Sequence, residues 1–207
     1  MATESQTPET PRKKVTVASV LVPVALVLAG VLFALSSLRE RGKQHENAER
    51  GAAVGSGQIV RKVGEAIPDL EFRTLDGKAV LLSDLKSKVI VINFWATWCG
   101  PCVKEMPSLQ RLATEYASQG LIVVGVNLDE NPDAVLTSFL AKHDIKFQSF
   151  VDPTGKLADR FSVSGLPLTL VVDGSRKLLL EHLGDEEWFA PVYRKQFELW
   201  LAEKSSG

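Results

Sequence analysis

Cysteine and histidine are scarce in this sequence of 207 residues. The only cysteines are Cys99 and Cys102, and the only histidines are His45, His143 and His182. A scaffold held together by disulfides needs several cysteines spread along the chain, and a zinc ribbon needs a second cysteine pair or nearby histidines. Because each histidine stands alone and far from the pair, we interpret all three as surface or packing residues. No metal site is predicted, and the chemistry of the cysteine pair must be local.

A strong net charge is also missing. Lys and Arg number 24 against 25 Asp and Glu, the formal net charge is −1, and the longest basic run is residues 12–14. A nucleic-acid-binding surface needs clustered positive charge, so no nucleic-acid partner is predicted. The composition, 45% hydrophobic and 24% charged, is that of a globular protein. The length allows one ordinary domain and an appendage.

The appendage lies at the N-terminus, where residues 15–35 form an apolar run without a charge. With a rise of about 1.5 Å per residue, a helix of this length spans roughly 30 Å, the thickness of the hydrocarbon core of a bilayer. We therefore predict a transmembrane anchor at 15–35 that lies in the lipid bilayer, a basic tail at 1–14 and a polar tether at 36–62. A cleaved signal peptide is the alternative, although its apolar region is usually only about 7–15 residues long.

The orientation of this anchor depends on a small charge difference. Residues 12–14 are basic, and Arg39, Arg41 and Lys43 follow the span, partly offset by Glu40. Positive charge favours the cytoplasmic side of a membrane, and the two counts are nearly tied. The short basic tail favours a cytoplasmic N-terminus. The chain after residue 36 is then expected on the extracytoplasmic, periplasmic side of the cytoplasmic membrane.

From residue 63 onward the hydrophobic pattern predicts a folded α/β domain, residues 63–204. Strands alternate with helices before a final hairpin and helix, so we expect a mixed sheet with helices on both faces. The predicted strands are 70–75, 78–82, 89–95, 121–128, 147–151, 168–172 and 177–182. The predicted helices are 99–118, which Pro107 should kink, 133–143, 156–161, and a last helix to about residue 204 with Pro191 in its first turn.

The two cysteines lie where the apolar strand 89–95 passes into the helix that begins near residue 99. Free backbone N–H groups and the positive end of the helix dipole stabilise a thiolate at such a position. Cys99, at the very start, is therefore the predicted nucleophile. Cys102 lies one turn further on the same face, so it can attack Cys99 and resolve a mixed disulfide. The ring that the pair closes is small, which favours a reversible couple over a structural link.

The sequence around the pair, WATWCGPC, resembles thioredoxin. The larger frame resembles the membrane-anchored thioredoxin-like proteins of the TlpA/ResA type, a group related to the redoxin and AhpC/TSA proteins. Three segments match that group's N-terminal hairpin, its E-x-P sequence and its added helix and strand. They are residues 67–70 with 75–77 and 82–85, residues 105–107, and the stretch from 121 to 147. The resemblance implies a thioredoxin-like α/β fold with an N-terminal β-hairpin and a central helix–strand insertion.

The resemblance also implies which residues bind the substrate. Pro167 corresponds to the family's cis-proline, which lies against the cysteines and helps to bind the substrate backbone. Trp98 adjoins the nucleophile and is expected to form part of a flat apolar docking surface. The full implied set is Trp98, Gly100, Pro101, Leu166 and Pro167. No cofactor is expected beyond the redox-active Cys99–Cys102 disulfide.

Asn93 occupies the place where thioredoxin has a buried aspartate, which removes the usual proton acceptor. Glu105 is the candidate replacement, because it lies three residues beyond Cys102 on the same face of the helix. If Glu105 is buried, its pKa rises and it can exchange a proton with Cys102 near neutral pH. An ordinary solvated helix glutamate is the alternative. We predict catalytic roles for Cys99, Cys102 and Glu105, and none for Asp129.

The predicted activity is thiol–disulfide exchange on protein substrates, with the chain acting as a reductase. The Gly-Pro dipeptide between the cysteines is that of the strongly reducing thioredoxin. The resemblance implies apocytochrome c as the client, before haem attachment, and a membrane electron donor for re-reduction. Two other activities are alternatives to the reductase. A peroxiredoxin-like peroxidase would need Pro and Thr where Ile92 and Ala96 stand. A Cu(I) chaperone would use the two thiolates as soft ligands, with Met106 as a candidate third ligand.

Overall fold

The computed structural model describes Ile59 and residues 61–203. Strands β1 (Glu71–Arg73) and β2 (Ala79–Leu81) form a hairpin. The main sheet that follows has five strands: β3 (Val89–Trp95), β4 (Leu121–Asn127), β5 (Gln148–Val151), β6 (Leu168–Asp173) and β7 (Leu178–Leu183). The helices are α1 (Gly100–Tyr116), α2 (Pro132–Lys142), α3 (Lys156–Arg160) and α4 (Pro191–Ala202). The strands and helices follow one another in the predicted order, and the hairpin strands β1 and β2 are shorter than predicted. Helix α1 runs from Gly100 to Tyr116 with Pro107 inside it.

The predicted basic tail, the predicted anchor and nearly all of the predicted tether lie outside the described residues. Within the part of the chain that the structure describes, no helix is both long enough and apolar enough to cross a bilayer. Ile59 and Arg61, which the prediction assigns to the tether, pack against the domain. The Ile59 side chain is buried, and its N–H donates to the carbonyl of Arg160 at 2.7 Å. Arg61 forms a two-point ion pair with Glu181, at 2.7 and 2.9 Å.

The order of strands in the main sheet is β5-β4-β3-β6-β7, with β3 at the centre. Strand β4 runs parallel to β3 and β5 parallel to β4, whereas β6 and β7 pair in antiparallel fashion. The sheet is therefore mixed, as predicted. Because β3 and β4 end at the edge where β6 begins, the loops at this edge bring together residues 96–99, residues 128–131 and Pro167.

Alternate residues of β3 pack on opposite faces of the sheet, as the pleat of a strand requires. Val89 and Val91 belong to a core shared with α1, α2 and α4. Ile90 and Ile92 belong to a second core, shared with the hairpin and α3. Asn93 shares the face of Val89 and Val91. The central strand therefore places one polar side chain beneath the helix that carries the cysteines.

Candidate active site

The cysteine pair lies at the junction of β3 and α1. Strand β3 ends at Trp95, residues 96–98 form a short loop, and Cys99 is the N-cap of α1, with Pro101 in the first turn. A disulfide joins Cys99 to Cys102, with their Cα atoms 5.3 Å apart. The placement of the pair between a buried strand and a helix is therefore the predicted one.

The start of α1 stabilises negative charge on the sulfur of Cys99. Its Sγ accepts a hydrogen bond from the N–H of Cys102 at 3.2 Å. This N–H belongs to the first turn, where backbone donors lack partners within the helix and the helix dipole is positive. Cys99 is 6% exposed, whereas Cys102 is completely buried. Both cysteines are thus largely enclosed, and Cys99 is the less enclosed of the two.

Glu105 lies one turn beyond Cys102 and is only 2% exposed. Its Oε1 accepts a hydrogen bond from Nδ2 of Asn93 at 2.7 Å. Its Oε2 accepts from Nε1 of Trp188 at 2.7 Å and from the N–H of Glu186 at 3.3 Å. The alternative of a solvated helix glutamate is therefore wrong, because both oxygens are enclosed and bonded.

Burial raises the pKa of Glu105 to about 7, because removal from water disfavours the charged carboxylate. The hydrogen bonds from Trp188, Asn93 and the N–H of Glu186 lower this pKa, and the negative charge of Asp185 raises it. A carboxyl group with a pKa near neutrality can both accept and release a proton there. This is the property that a proton partner of a thiol requires.

Asn93 takes part in the site in a way that the sequence did not indicate. Its amide nitrogen donates to Glu105 and also to Oγ1 of Thr169 at 3.0 Å. Thr169 is the partner of Asn93 in the pairing of β3 with β6. The sequence suggested only the loss of a proton acceptor at this position. The structure shows instead a buried donor that holds the carboxylate of Glu105.

Trp188 is a site residue that the sequence analysis missed. Its side chain is completely buried, and its ring packs against His182 and Tyr193, with centroids 5.5 and 4.9 Å away. Three acidic residues, 185–187, come directly before it. Such a composition is typical of an exposed loop and gives no sign of a buried contact with Glu105.

The Leu166–Pro167 peptide bond is cis, as the resemblance implied. Pro167 is buried and comes directly before β6, whose first residue, Leu168, pairs with Phe94 of β3. Pro167 therefore lies at the edge of the sheet where β3 leads to the cysteines. Leu166 is half-buried against the core that includes both cysteines.

The other predicted substrate contacts lie on the surface beside Cys99. Trp98 is 71% exposed, and Gly100 and Pro101 are exposed as well. A Cβ atom at Gly100 would meet no atom within 4 Å, so packing within the domain does not require glycine there. The predicted substrate-binding residues thus lie at one edge of the domain. Their contact with a substrate stays a prediction.

Asp129, to which the sequence assigned no catalytic role, holds the loop before Cys99. Its carboxylate accepts hydrogen bonds from the N–H and the hydroxyl of Thr97 at 3.0 and 2.8 Å. It also accepts one from Nδ2 of Asn127 at 2.6 Å. Because Asp129 follows β4, these bonds clamp the loop 96–98 to the neighbouring strand. The sequence could have indicated this contact, because Thr97 and Asp129 each follow the end of one of two neighbouring parallel strands, β3 and β4.

Among the residues that the structure describes, no group of three or more His, Cys, Asp or Glu side chains is placed to hold a metal ion. Met106, the candidate third ligand of a Cu(I) site, is completely buried in the core. His143 and His182 each pack against an aromatic ring. His45 lies outside the described residues.

A disulfide closed across the first turn of a helix, at the end of the central strand of a mixed sheet, is the arrangement by which thioredoxin-like enzymes exchange thiols and disulfides. The protein is a thiol–disulfide oxidoreductase of that class. A model of the AhpC/TSA family matches residues 63–180, and the chain belongs to this family.

Individual relatives place the chain among the TlpA/ResA-type proteins. The thiol-disulfide oxidoreductase ResA of a Bacillus cereus strain is 34% identical over 125 residues, which cover 60% of this chain and 72% of that protein. ResA of Bacillus subtilis (strain 168) is 34% identical over 127 residues, 61% of this chain and 70% of that one. A crystal structure from Chlorobium tepidum, described as a putative thiol:disulfide interchange protein DsbE, has 31% identity and a TM-score of 0.62. The match covers 69% of this chain and 100% of that one.

Proposed function

We propose that this protein reduces disulfides in protein substrates through the Cys99–Cys102 couple. The observation that carries the proposal is the asymmetry of the site. Cys99 is the N-cap of α1 and is 6% exposed, Cys102 is completely buried, and the buried carboxyl group of Glu105 lies one turn further. The relatives named thiol-disulfide oxidoreductase support the reaction class. The Gly-Pro dipeptide between the cysteines supports the reducing direction.

The reaction has two exchange steps. The Cys99 thiolate attacks one sulfur of the substrate disulfide, which forms a mixed disulfide and releases the other substrate sulfur as a thiolate. The Cys102 thiol then gives its proton to the Glu105 carboxylate and attacks the sulfur of Cys99. The Cys99–Cys102 disulfide closes and the second substrate thiolate leaves. The two substrate thiolates take up two protons, one from Glu105 and one from water, and a dithiol donor later returns two electrons to the protein.

The substrate binds across the edge that carries Cys99. An extended backbone segment lies beside Pro167 and Leu166, and apolar side chains of the substrate contact the exposed ring of Trp98. Gly100 and Pro101 leave the approach to the sulfur of Cys99 open, because neither presents a long side chain. The exposure of Trp98 supports this assignment, since an indole that is 71% exposed contributes little to packing within the domain.

The client and the compartment also belong to the proposal. The TlpA/ResA resemblance supports apocytochrome c as the client, whose cysteines would be kept reduced before haem attachment, and a membrane electron donor as the reductant. The uncharged run 15–35 supports a single-pass anchor in the cytoplasmic membrane, with the catalytic domain on the periplasmic side.

A peroxidase is not favoured by any feature of the site. Ile92 and Ala96 occupy the places where that chemistry would need Pro and Thr, and both side chains are completely buried. Both are core residues, Ile92 in the middle of β3 and Ala96 directly after it.

The reduction potential of the couple tests the direction of the reaction. After equilibration with glutathione or dithiothreitol, we expect a value of about −250 mV or lower, close to the value of about −270 mV for thioredoxin. Thiol alkylation followed by mass spectrometry measures the reduced fraction, and Cys99→Ser, which cannot form the couple, is the control. A value of about −120 mV, typical of the oxidant DsbA, would contradict the reductase. Copper binding without reduction of insulin disulfides would favour the Cu(I) alternative.

Membrane fractionation of the full-length chain tests the anchor and its orientation. We expect the protein to remain in the membrane after carbonate extraction, because an apolar helix of this length is held by the bilayer. In spheroplasts, Cys99 of the reduced protein should react with a thiol reagent that cannot cross membranes. A variant without residues 15–35 is the matched control and should be extracted. A shortened, extractable wild-type chain would indicate a cleaved signal peptide, and protection of Cys99 would contradict the periplasmic orientation.

A further inference from the structure

We propose that Trp188 is a positioning residue for Glu105: its indole N–H holds the carboxylate in place and favours its ionised form. Residues 185–188, termed the strap, bring this indole over α1. The inference rests on the proposed role of Glu105 as the proton partner of Cys102, and it adds a residue that lowers the pKa of that partner.

The strap is tied to α1 by side chains that share one face of the helix. The ties are Lys104 to Asp185 at 2.6 Å, Ser108 Oγ to the N–H of Trp188 at 3.0 Å, and Arg111 to Glu187 at 2.6 Å. The first and last ties are exposed ion pairs, which contribute little on their own. The tie at Ser108 is buried, and it fixes the backbone of Trp188 on the same face as Glu105.

The indole of Trp188 and the carboxylate of Glu105 satisfy each other. A buried indole N–H needs an acceptor, and Oε2 of Glu105 supplies it at 2.7 Å. The ring is kept in place from its other sides by His182 and Tyr193. Because these contacts fix the ring and Ser108 fixes the backbone of Trp188, the indole N–H points at the carboxylate of Glu105 before any proton moves.

The hydrogen bond from Trp188 opposes the effect of burial on Glu105. A donor that bonds the ionised form of an acid favours that form and lowers the pKa. Loss of one hydrogen bond to a carboxylate should raise the midpoint by about one pH unit. In that case most Glu105 carboxyl groups would be protonated at neutral pH and unable to accept the proton of Cys102.

The elements that contact Glu105 or Trp188, namely α1, β7, the strap and α4, carry several charged or titratable side chains. They are Lys104, Arg111, His182, Asp185, Glu186, Glu187 and Tyr193. Asp185 raises the pKa of Glu105, and Lys104 forms an ion pair with Asp185. The polar side chains on β3 and β6, Asn93 and Thr169, are uncharged. Within the described residues, the side-chain donors to Glu105 are Asn93 and Trp188 alone.

The test is the titration of Glu105 in the oxidised protein, where no thiol titrates. The ¹³C shift of its carboxyl carbon, assigned by its loss in Glu105→Gln, should have a midpoint at about 7 in the wild type. Trp188→Phe keeps a ring and removes the N–H, so we expect the midpoint to rise by about one pH unit. Trp95→Phe is the matched control. That indole is equally buried, but its Nε1 has no hydrogen-bond partner among the described residues, so the midpoint should not move.

An unchanged midpoint in folded Trp188→Phe overturns the inference. Ser108→Ala is the second variant if Trp188→Phe does not fold. It removes the acceptor of the backbone N–H of Trp188 and should raise the midpoint of Glu105 by a smaller amount, so no rise in this variant would also overturn the inference. Rates of insulin reduction against pH separate the two proposals. A profile that Glu105→Gln leaves unchanged overturns the role of Glu105, whereas a profile changed by Glu105→Gln but not by Trp188→Phe overturns the role of Trp188 alone.

Discussion

Cys102→Ser should abolish turnover and trap the substrate on Cys99 as a stable mixed disulfide. Cys99 is the less enclosed of the two cysteines and its sulfur lies at the start of α1, so the first exchange step is preserved. A serine hydroxyl cannot displace a thiolate from a disulfide, so the second step is lost. We expect multiple-turnover reduction of insulin to fall by at least about a thousandfold, as is usual when a covalent catalyst loses an essential group.

Non-reducing electrophoresis and mass spectrometry of the adduct measure this result. Cys99→Ser is the matched control: it should form no adduct, because the remaining sulfur of Cys102 is completely buried. Equal adduct yields from the two variants would contradict the assignment of Cys99 as the attacking cysteine. They would show that the enclosure of Cys102 does not limit its reaction.

The free energy of unfolding of the oxidised protein should fall as the pH rises from about 4.5 to about 7, and Glu105→Gln should remove much of this fall. The folded state raises the pKa of Glu105 from 4.5 to about 7. Within this window the folded state binds more protons than the unfolded state, so raising the pH favours unfolding. At about 1.4 kcal/mol per pKa unit, the free energy of unfolding should fall by about 3 kcal/mol in all. This loss is absent below the window and complete above it.

Denaturant unfolding of both proteins at the two ends of this window measures the effect. Burial also raises the pKa of Asp152, which adds a fall of the same sign. This contribution is present in both proteins, so the difference between them isolates Glu105. Glutamine keeps one oxygen to accept from Trp188 or Asn93, and the loss of the other bond offsets part of its advantage at high pH. Parallel pH dependences would contradict a raised pKa of Glu105.

The sequence predicted the frame of the molecule well because local signals specify it. The apolar run 89–95 is the central strand, with the same bounds. Pro101, Pro132 and Pro191 each mark the first turn of a helix, where the fixed φ of proline suits the helix and its missing N–H costs nothing. The cysteine pair and its position at a helix start follow from the same local pattern.

The surroundings of Glu105, the proposed proton partner of Cys102, were predicted only in part, because they depend on contacts between residues distant in sequence. Glu105 follows from its spacing on the helix after Cys102, but its burial depends on side chains that lie far away in sequence. Asn93 precedes Glu105 by 12 residues, and Trp188 follows it by 83. No local pattern encodes such bonds. Asp129 was missed for the same reason, since its bonds to Thr97 span 32 residues.

The distribution of the site along the chain separates Trp188 from the other site residues. The part shared with the AhpC/TSA family, residues 63–180, contains both cysteines, Glu105 and Pro167, but it ends before Trp188. Of the side-chain donors to Glu105 described above, Asn93 lies inside this stretch and Trp188 lies beyond it. On the proposed role of Trp188, a substitution beyond residue 180 can therefore shift the pH at which this protein works while every residue of the matched stretch stays the same.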